Sequence, residues 1–192
     1  MFKRVENNIN LAQVENEISN YWDEIDAFQT SLNNRKNDKI FRFYDGPPFP
    51  TGSPHYGNLL AGVIKDIVPR YWTMRGYYVE RRFGWDVHGL PIEMEVQKNL
   101  NLEDPLQIDA YGIDKFNEAC RSQVQTNTEN WEKITRKIGR WVDFENDYKT
   151  MDIDFMESVW WVFKELWEKE LIYQDYKVLP YSWAASTPLS NF

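Results

Sequence analysis

The chain of 192 residues is long enough to bury a core of its own, which excludes a small domain held together only by disulfides. Hydrophobic residues make up 42% and aromatic residues 16% of the sequence, so intrinsic disorder is excluded for most of its length. The formal net charge of -8 opposes a broad electrostatic attraction to nucleic acid. Any contact with RNA should therefore be local.

Cysteine content and hydropathy indicate the compartment. The single cysteine, Cys120, allows neither an intramolecular disulfide nor a CxxC metal pair, and we interpret it as a small buried helix residue. Residues 1–18 lack the apolar core of a secretory signal, and no run approaches eighteen apolar residues. We therefore expect a soluble cytoplasmic protein.

The first third of the chain predicts a helix followed by a buried strand. Apolar residues recur at spacings of three and four from Leu11 to Phe28, which predicts an amphipathic helix that docks onto the main body. The polar run Ser31–Lys39 is typical of a connecting loop. The aromatic-rich segment Ile40–Tyr44 predicts a strand that ends at the turn residues Asp45–Pro48.

A second helix and strand follow this turn. Helical spacing predicts a helix over His55–Arg75, with Gly76 as its stop and a kink at Pro69. The segment Tyr77–Phe83 predicts a strand. This order is a βαβ unit, which requires parallel strands and a right-handed crossover. The predicted fold class is therefore α/β, with a doubly wound parallel sheet and flanking helices.

The second half of the chain predicts two long helices and a returning strand. Helical periodicity covers Ile113–Trp141 and Phe155–Lys169, and a strand is predicted over Lys177–Trp183. The buried face of the second helix is predicted to carry Trp160, Phe163 and Trp167.

Histidine, asparagine and glycine residues cluster where the first predicted strand meets the following helix. Such a helix points its free N–H groups at a bound phosphate, and His55 and Asn58 lie on one face of it. Gly57 would leave room for a flat base. Taken alone, His55 is more typical of a helix cap or a surface histidine, and Gly46, Gly52 and Gly57 are as typical of ordinary turns. Together they predict a phosphate site.

A second group of polar residues follows the strand predicted over residues 77–83. Asp86, flanked by Gly84 and Gly89, would face the same cleft and suits a substrate ammonium group. A turn aspartate that binds its own backbone is an alternative interpretation. His88 is open between a pocket wall and a structural histidine.

A basic stripe lies near the end of the helix predicted over residues 113–141. Its members, Lys133, Arg136, Lys137 and Arg140, have a spacing that could meet RNA phosphates. We favour a solvated stripe paired with nearby acids.

Two motifs carry a resemblance to a known family. The segment FYDGPPFPTGSPHYGN resembles the ATP site of class I aminoacyl-tRNA synthetases, whose HIGH signature falls on His55–Asn58. The segment RRFGWDVHGLPIE is similar to the isoleucine-specific branch of that family. Both ends of the chain also resemble this branch, in its eukaryotic type, so the resemblance covers essentially the whole sequence.

The resemblance implies a domain organisation. Residues 40–192 would form the N-terminal half of a Rossmann-like catalytic domain, and residues 1–39 a helical extension. The chain would end before the inserted editing domain and before the KMSKS-like loop, whose lysine neutralises the leaving pyrophosphate. No zinc-binding cysteines are present near the end of the sequence.

The resemblance implies an ATP site with Mg²⁺ bound to the nucleotide. His55 and Asn58 would contact the ATP phosphates and act as the catalytic residues, with Gly57 beneath the adenosine. Gly46 and Pro48 would complete the ATP-binding loop. Asn58 stands where the signature has its second histidine, so a hydrogen-bond donor is kept and a cationic form is not.

The resemblance also implies the amino-acid site and the reaction. Asp86 would hold the amino group of L-isoleucine, with Pro47 and His88 lining its pocket. Isoleucine would attack the α-phosphorus of ATP, and the acyl group would then pass to tRNA(Ile), most of whose binding surface lies outside this chain. A catalytically incomplete binding module, which keeps only nucleotide or protein contacts, is the alternative function.

Overall fold

The computed structural model describes residues 9–102, 104–184 and 186–189. The chain divides into two compact units, Met1–Asp152 and Ile153–Phe192. The predicted boundary between residues 39 and 40 stays a prediction. No helix of the described residues is both long and apolar enough to cross a membrane.

Two short helices form the N-terminal part of the first unit. Helix α1 spans Leu11–Glu24 and helix α2 spans Ala27–Asn33. The single helix predicted over Leu11–Phe28 is wrong, because Asp26 adopts a left-handed conformation with φ 45° that breaks it. The predicted docking is confirmed by Trp22, whose ring centroid lies 5.3 Å from that of Trp141.

The predicted βαβ unit is present with shorter strands. Strand β1 (Lys39–Ile40) and strand β2 (Tyr77–Tyr78) pair in parallel, and helix α3 (Tyr56–Met74) connects them. The strand predicted over Ile40–Tyr44 is wrong in length. Beyond Ile40 only one further backbone bond follows, from the Phe41 N–H to the Tyr78 carbonyl at 2.9 Å, before the chain turns away.

The end of helix α3 agrees with the sequence. Gly76 adopts φ 88° immediately after the helix and donates its N–H to the Thr73 carbonyl at 3.1 Å, so its role as the stop is confirmed. Pro69 lies inside the helix and is fully buried.

A second parallel pair carries the core. Strand β3 (Arg82–Trp85) pairs with strand β4 (Asp143–Lys149), with a register shift between Arg82 and Gly84. The continuous strand predicted over Tyr77–Phe83 is therefore wrong, since residues 79–81 separate β2 from β3. Both pairs are parallel, as predicted.

Helices cover this second pair of strands. Helices α4 (Leu90–Asn99), α5 (Pro105–Tyr111) and α6 (Ile113–Lys137) follow in the chain. The helix predicted to reach Trp141 ends four residues earlier, where Gly139 adopts φ 74°. The buried core cluster consists of Phe83, Trp85, Val87, Ile92, Val96, Phe116, Val124, Trp131 and Val142.

The second unit contains helix α7 (Ile153–Glu168) and a short antiparallel pair of strands, β5 (Tyr181–Ser182) and β6 (Thr187–Pro188). The strand predicted over Lys177–Trp183 is wrong in length, because only Tyr181 and Ser182 pair. Their partner among the described residues, β6, is itself two residues long. Glu170 adopts a left-handed conformation with φ 56° after α7, a conformation that glycine usually supplies at a helix end.

The predicted burial of one face of α7 is wrong. The exposed fractions of Trp160, Phe163 and Trp167 are 69%, 47% and 62%, and no residue of α7 is buried. The helical period is correct, but burial also needs a partner surface, and the described residues of this unit do not supply one.

Candidate active site

The N-terminus of helix α3 is closed by a reciprocal cap. His55 is the N-cap residue, and its Nδ1 accepts the Gly57 N–H at 3.1 Å. In return, the Asn58 Oδ1 accepts the His55 N–H at 3.0 Å. The sequence is compatible with a capping histidine as well as a phosphate-binding one. The structure places His55 in the capping position.

The cap leaves one donor on each side chain that no described residue engages, so both donors can meet a ligand. Because Nδ1 of His55 accepts a hydrogen bond, the neutral ring carries its proton on Nε2. Because the Asn58 Oδ1 is engaged, its Nδ2 amide group is the free end. Both donors lie at the positive end of a 19-residue helix. The arrangement can therefore bind an anion and cap the helix at once.

Gly57 has a local role that the sequence analysis missed. A Cβ on Gly57 would lie 2.9 Å from Cε1 of His55, closer than real Cβ atoms come, and 3.1 Å from Nδ1, which is also tight. The glycine therefore makes room for the His55 ring to fold back over the helix. Space for a flat base at Gly57 stays a prediction.

The turn after strand β1 is anchored by a buried carboxylate. Asp45 is fully buried, and its Oδ2 accepts a hydrogen bond from the Arg140 guanidinium at 2.7 Å. The Lys65 Nζ lies 2.7 Å from Oδ1 as an ion pair, and the same ammonium group donates to the Gly46 carbonyl at 2.5 Å. Asp45 thus ties the predicted ATP-binding loop to α3 and to the end of α6.

A tyrosine from strand β4 holds the same turn from the other side. The Tyr148 hydroxyl donates to the Asp45 carbonyl, and its ring stacks on Tyr44 with a centroid separation of 5.1 Å. Burial and, to a smaller extent, a hydrogen bond with Tyr44 raise the pKa of the Tyr148 phenol well above its ordinary value. The phenol is therefore a permanent neutral donor. The ring occupies the space above Gly84 that a side chain would fill.

Asp86 lies just beyond the carboxyl end of strand β3. Its N–H donates to the Pro48 carbonyl at 2.9 Å, which joins the predicted isoleucine contact to the predicted ATP-binding loop. Its Oδ1 lies 3.4 Å from the hydroxyl of Thr150. The alternative of a turn aspartate bound to its own backbone is not what the structure shows, because the recorded contact of its carboxylate is to Thr150, 64 residues away.

His88 combines the two roles that the sequence analysis left open. Its Nδ1 lies 2.8 Å from the Thr150 hydroxyl, as expected of a structural histidine. The residue also lines a cavity of about 260 Å³ together with Glu93, Cys120 and Met151. Cys120 is half-buried on α6, and burial together with Glu93 raises its thiol pKa, so the thiol is not an activated nucleophile.

The predicted site residues form two groups, one at the start of α3 and one after β3. The predicted ATP-binding loop joins them. Pro48, Asn58 and Lys65 line one small cavity of about 50 Å³, which places the loop beside the start of α3. Pro48 also binds Asp86 through the backbone. The loop is held further by the Trp131 indole, which donates to the Gly52 carbonyl at 2.8 Å.

The basic stripe is divided between two environments. Arg136 pairs with Glu132 at 2.8 Å on the surface, which confirms the acid pairing for this residue. Arg140 departs from the prediction, because it lies beyond the helix end and is buried against Asp45.

No group of three or more His, Cys, Asp or Glu residues among the described ranges could hold a metal ion. The predicted absence of a zinc site stays a prediction. Since Mg²⁺ commonly binds through substrate phosphates and water, the ion expected with ATP does not need such a group.

Comparison with known proteins defines the class. Residues 17–192 match the family described as tRNA synthetases class I (I, L, M and V). The chain therefore belongs to this family of class I tRNA synthetases.

Isoleucine–tRNA ligases are among the curated proteins that this chain resembles. The chain is 57% identical over 178 residues to the cytoplasmic isoleucine–tRNA ligase of Arabidopsis thaliana, which covers 93% of this chain and 15% of that protein. Identity to the isoleucine–tRNA ligase of Anaplasma marginale is 54% (100% of this chain, 17% of that protein), and to that of Mycobacterium tuberculosis 55% (94% and 17%). The chain thus spans about a sixth of the length of these relatives.

A solved structure supports the fold. The LeuRS of Agrobacterium radiobacter K84, in a ternary complex described as LeuRS–tRNA–LeuAMS, matches with a TM-score of 0.62 and 22% identity. The match covers 92% of this chain and 20% of that one. At this identity the likeness shows the fold alone, and it confirms the predicted α/β class.

Proposed function

We propose that the protein containing this chain is an isoleucine–tRNA ligase that uses ATP to activate L-isoleucine and then esterifies tRNA(Ile). The observation that carries the proposal is the identity of 54–57% to three isoleucine–tRNA ligases over 93% or more of the chain. The name of the Arabidopsis relative supports a cytoplasmic setting.

The first reaction transfers an adenylyl group. An oxygen of the isoleucine carboxylate attacks the α-phosphorus of ATP, the bond to the bridging oxygen breaks, and pyrophosphate leaves with that electron pair. No covalent bond to the protein is needed, so alignment of the two substrates and stabilisation of phosphate charge supply the catalysis. Mg²⁺, bound to the nucleotide, neutralises part of the phosphate charge.

The residues at the start of α3 suit the phosphate side of this reaction. The Nε2–H of His55 and the Nδ2 amide of Asn58 are free donors, fixed in direction by the reciprocal cap. Donors that are oriented before the substrate binds need no reorganisation when charge develops on the phosphate oxygens. We assign catalytic contacts with the ATP phosphates to these two side chains. Gly46, Pro48 and Gly57 complete the ATP-binding set.

The residues after β3 suit the amino-acid side. Asp86 offers a partly buried carboxylate for the isoleucine ammonium group, and its backbone N–H bond to Pro48 holds it beside the nucleotide loop. Pro47 and His88 would line the pocket. The geometry thus supports placing the two substrates on either side of the turn at residues 45–48.

Two substitutions of His55 should separate capping from phosphate binding. His55→Ala removes both functions, so we expect the free energy of unfolding to fall by about 1 kcal/mol and adenylate formation to fall on the order of a hundredfold. His55→Ser keeps a good N-cap residue but no donor that reaches the phosphates. The serine variant should regain the free energy of unfolding of the parent, while its adenylate formation stays about a hundredfold slower. Denaturant unfolding and pyrophosphate exchange measure the two effects; recovery of activity by serine would contradict the assignment.

Removal of the Asp86 carboxylate should weaken the use of isoleucine without weakening that of ATP. We expect Asp86→Ala to lower kcat/KM for isoleucine on the order of a hundredfold or more, because the substrate ammonium loses its charged partner. The KM for ATP should stay close to that of the parent. Asp109→Ala, which removes an exposed carboxylate on α5, is the matched control. If Asp86→Ala weakens the use of isoleucine and of ATP equally, Asp86 has a structural role instead.

The alternative of a binding module is tested by comparing binding with turnover. Calorimetric titration with a non-hydrolysable isoleucyl-adenylate analogue measures binding, and pyrophosphate exchange measures catalysis. Because the chain spans about a sixth of its relatives, both are made on the whole natural protein that contains it. An enzyme binds the analogue and catalyses exchange. Binding without exchange would favour the module.

A further inference from the structure

Thr150 has contacts that neither the sequence motifs nor the family resemblance indicates. It directly follows strand β4 and is buried, with an exposed fraction of 6%. Its N–H donates to the Trp85 carbonyl at 3.0 Å, which extends the β3–β4 pairing by one bond. Thr150 and Asp86 therefore lie side by side at the carboxyl ends of two adjacent parallel strands, where ligands bind in such sheets.

The Thr150 hydroxyl meets three polar groups from the GWDVHG segment. It accepts the Val87 N–H at 3.0 Å, lies 2.8 Å from the His88 Nδ1, and donates to the Asp86 Oδ1 at 3.4 Å. A hydroxyl has one proton to donate and two lone pairs that accept. The three contacts use this capacity completely.

Two of the three partners of the hydroxyl can act in one direction only. A backbone N–H can only donate, and an ionised carboxylate can only accept. All three contacts are hydrogen bonds at once only when the hydroxyl proton points to Asp86 and His88 donates from Nδ1 to the second lone pair. This leaves the Nε2 of a neutral His88 as an acceptor. The Asp86 carboxylate is thus oriented by a hydroxyl whose own position is set by two further bonds.

We propose that Thr150 is a positioning residue for isoleucine, acting through Asp86. The inference rests on the proposed function, since it deepens the role of the same carboxylate. At 3.4 Å the bond to Asp86 is long for a hydroxyl donor, so it directs the carboxylate while leaving it the charge to meet an ammonium group. Catalytic hydrogen bonds are often long in the absence of substrate and tighten in the substrate complex.

The test compares Thr150→Val with Thr150→Ser in the whole natural protein. Valine has the shape of threonine without the hydroxyl, and serine keeps the hydroxyl without the methyl group. We expect Thr150→Val to raise the KM for isoleucine at least about tenfold, as for a lost bond to a charged group. The KM for ATP should change little, and Thr150→Ser should restore the isoleucine KM. Thr126→Val, at an exposed position of α6, is the control.

A double substitution separates positioning from general damage. If Thr150 acts through Asp86, adding Thr150→Val to Asp86→Ala should leave the isoleucine KM of the single Asp86 variant unchanged. If valine prevents folding, Thr150→Ala replaces it in both backgrounds. The proposal would be overturned if the isoleucine KM without the hydroxyl equals that of the parent, or if the KM values for isoleucine and ATP change equally. It would also be overturned if Thr150→Ser does not restore isoleucine binding. Absence of isoleucine-dependent exchange in the parent would instead overturn the proposed function.

Discussion

The Asp45→Ala variant is expected to lose about 3–5 kcal/mol of its free energy of unfolding, as measured when one partner of a buried ion pair is removed. The carboxylate of Asp45 is fully buried, and the side chain of its partner Arg140 is only 5% exposed. Removing the carboxylate leaves the Arg140 guanidinium charged and without its partner inside the protein. Lys65, with a side chain 26% exposed, can turn to water and contributes less to the loss.

The control for Asp45 is an exposed ion pair in the same unit. Arg35 and Asp38 pair at 3.3 Å with side chains 38% and 40% exposed, so Asp38→Ala should cost at most about 1 kcal/mol. Urea unfolding of the two variants gives the comparison. Equal small losses would show that the charges around Asp45 are solvated. The larger loss should also be accompanied by a higher KM for ATP, because Asp45 begins the loop that includes Gly46 and Pro48.

The Gly84→Ala variant should lose about 3 kcal/mol of its free energy of unfolding, the upper end of the usual range for a methyl group forced into a packed core. A Cβ at residue 84 would overlap Cζ and Oη of Tyr148, which lies opposite it in the β3–β4 register. Either the strands separate or the Tyr148 ring leaves its place, and then the Asp45 carbonyl loses its donor. We expect poor folding, and reduced binding of both substrates by the folded fraction.

A second glycine provides the control for this prediction. At Gly46 a Cβ would meet only the Lys65 Nζ, at 3.9 Å, which is ordinary contact. Gly46→Ala should therefore change the free energy of unfolding by less than about 1 kcal/mol. Thermal and denaturant unfolding measure both variants. A Gly84→Ala protein as stable as Gly46→Ala would contradict the packing described for Tyr148.

The sequence predicts the helices and the parallel order better than the strands. Helix α3 agrees within one residue at each end, because its cap, its apolar period and Gly76 all give the same boundaries. Strands β1 and β2 are two residues each, and aromatic content over residues 40–44 does not reveal where a partner stops. The break at Asp26 was not predictable, because a left-handed aspartate carries no periodic signal.

The site was predictable in its motif residues and not in their supports. His55, Asn58 and Asp86 lie in recognisable spacings, so their place beyond strand ends follows from the predicted topology. Thr150 and Arg140 support Asp86 and Asp45 from 64 and 95 residues away. Only the fold brings such distant residues together. A buried polar residue among apolar ones gives no sign of its partner in a single sequence.

The measurement that tests the central claim most directly is amino-acid-dependent ATP–pyrophosphate exchange by the natural protein that contains this chain. With Mg²⁺ and ATP present, isoleucine should support the fastest exchange, leucine and methionine should support far less, and Asp86→Ala should abolish most of the isoleucine-dependent rate. Such a result would agree with a site in which α3 holds the phosphates and Asp86 holds the amino group. Exchange that is absent, or equally fast with leucine, or unaffected by Asp86→Ala, would contradict it.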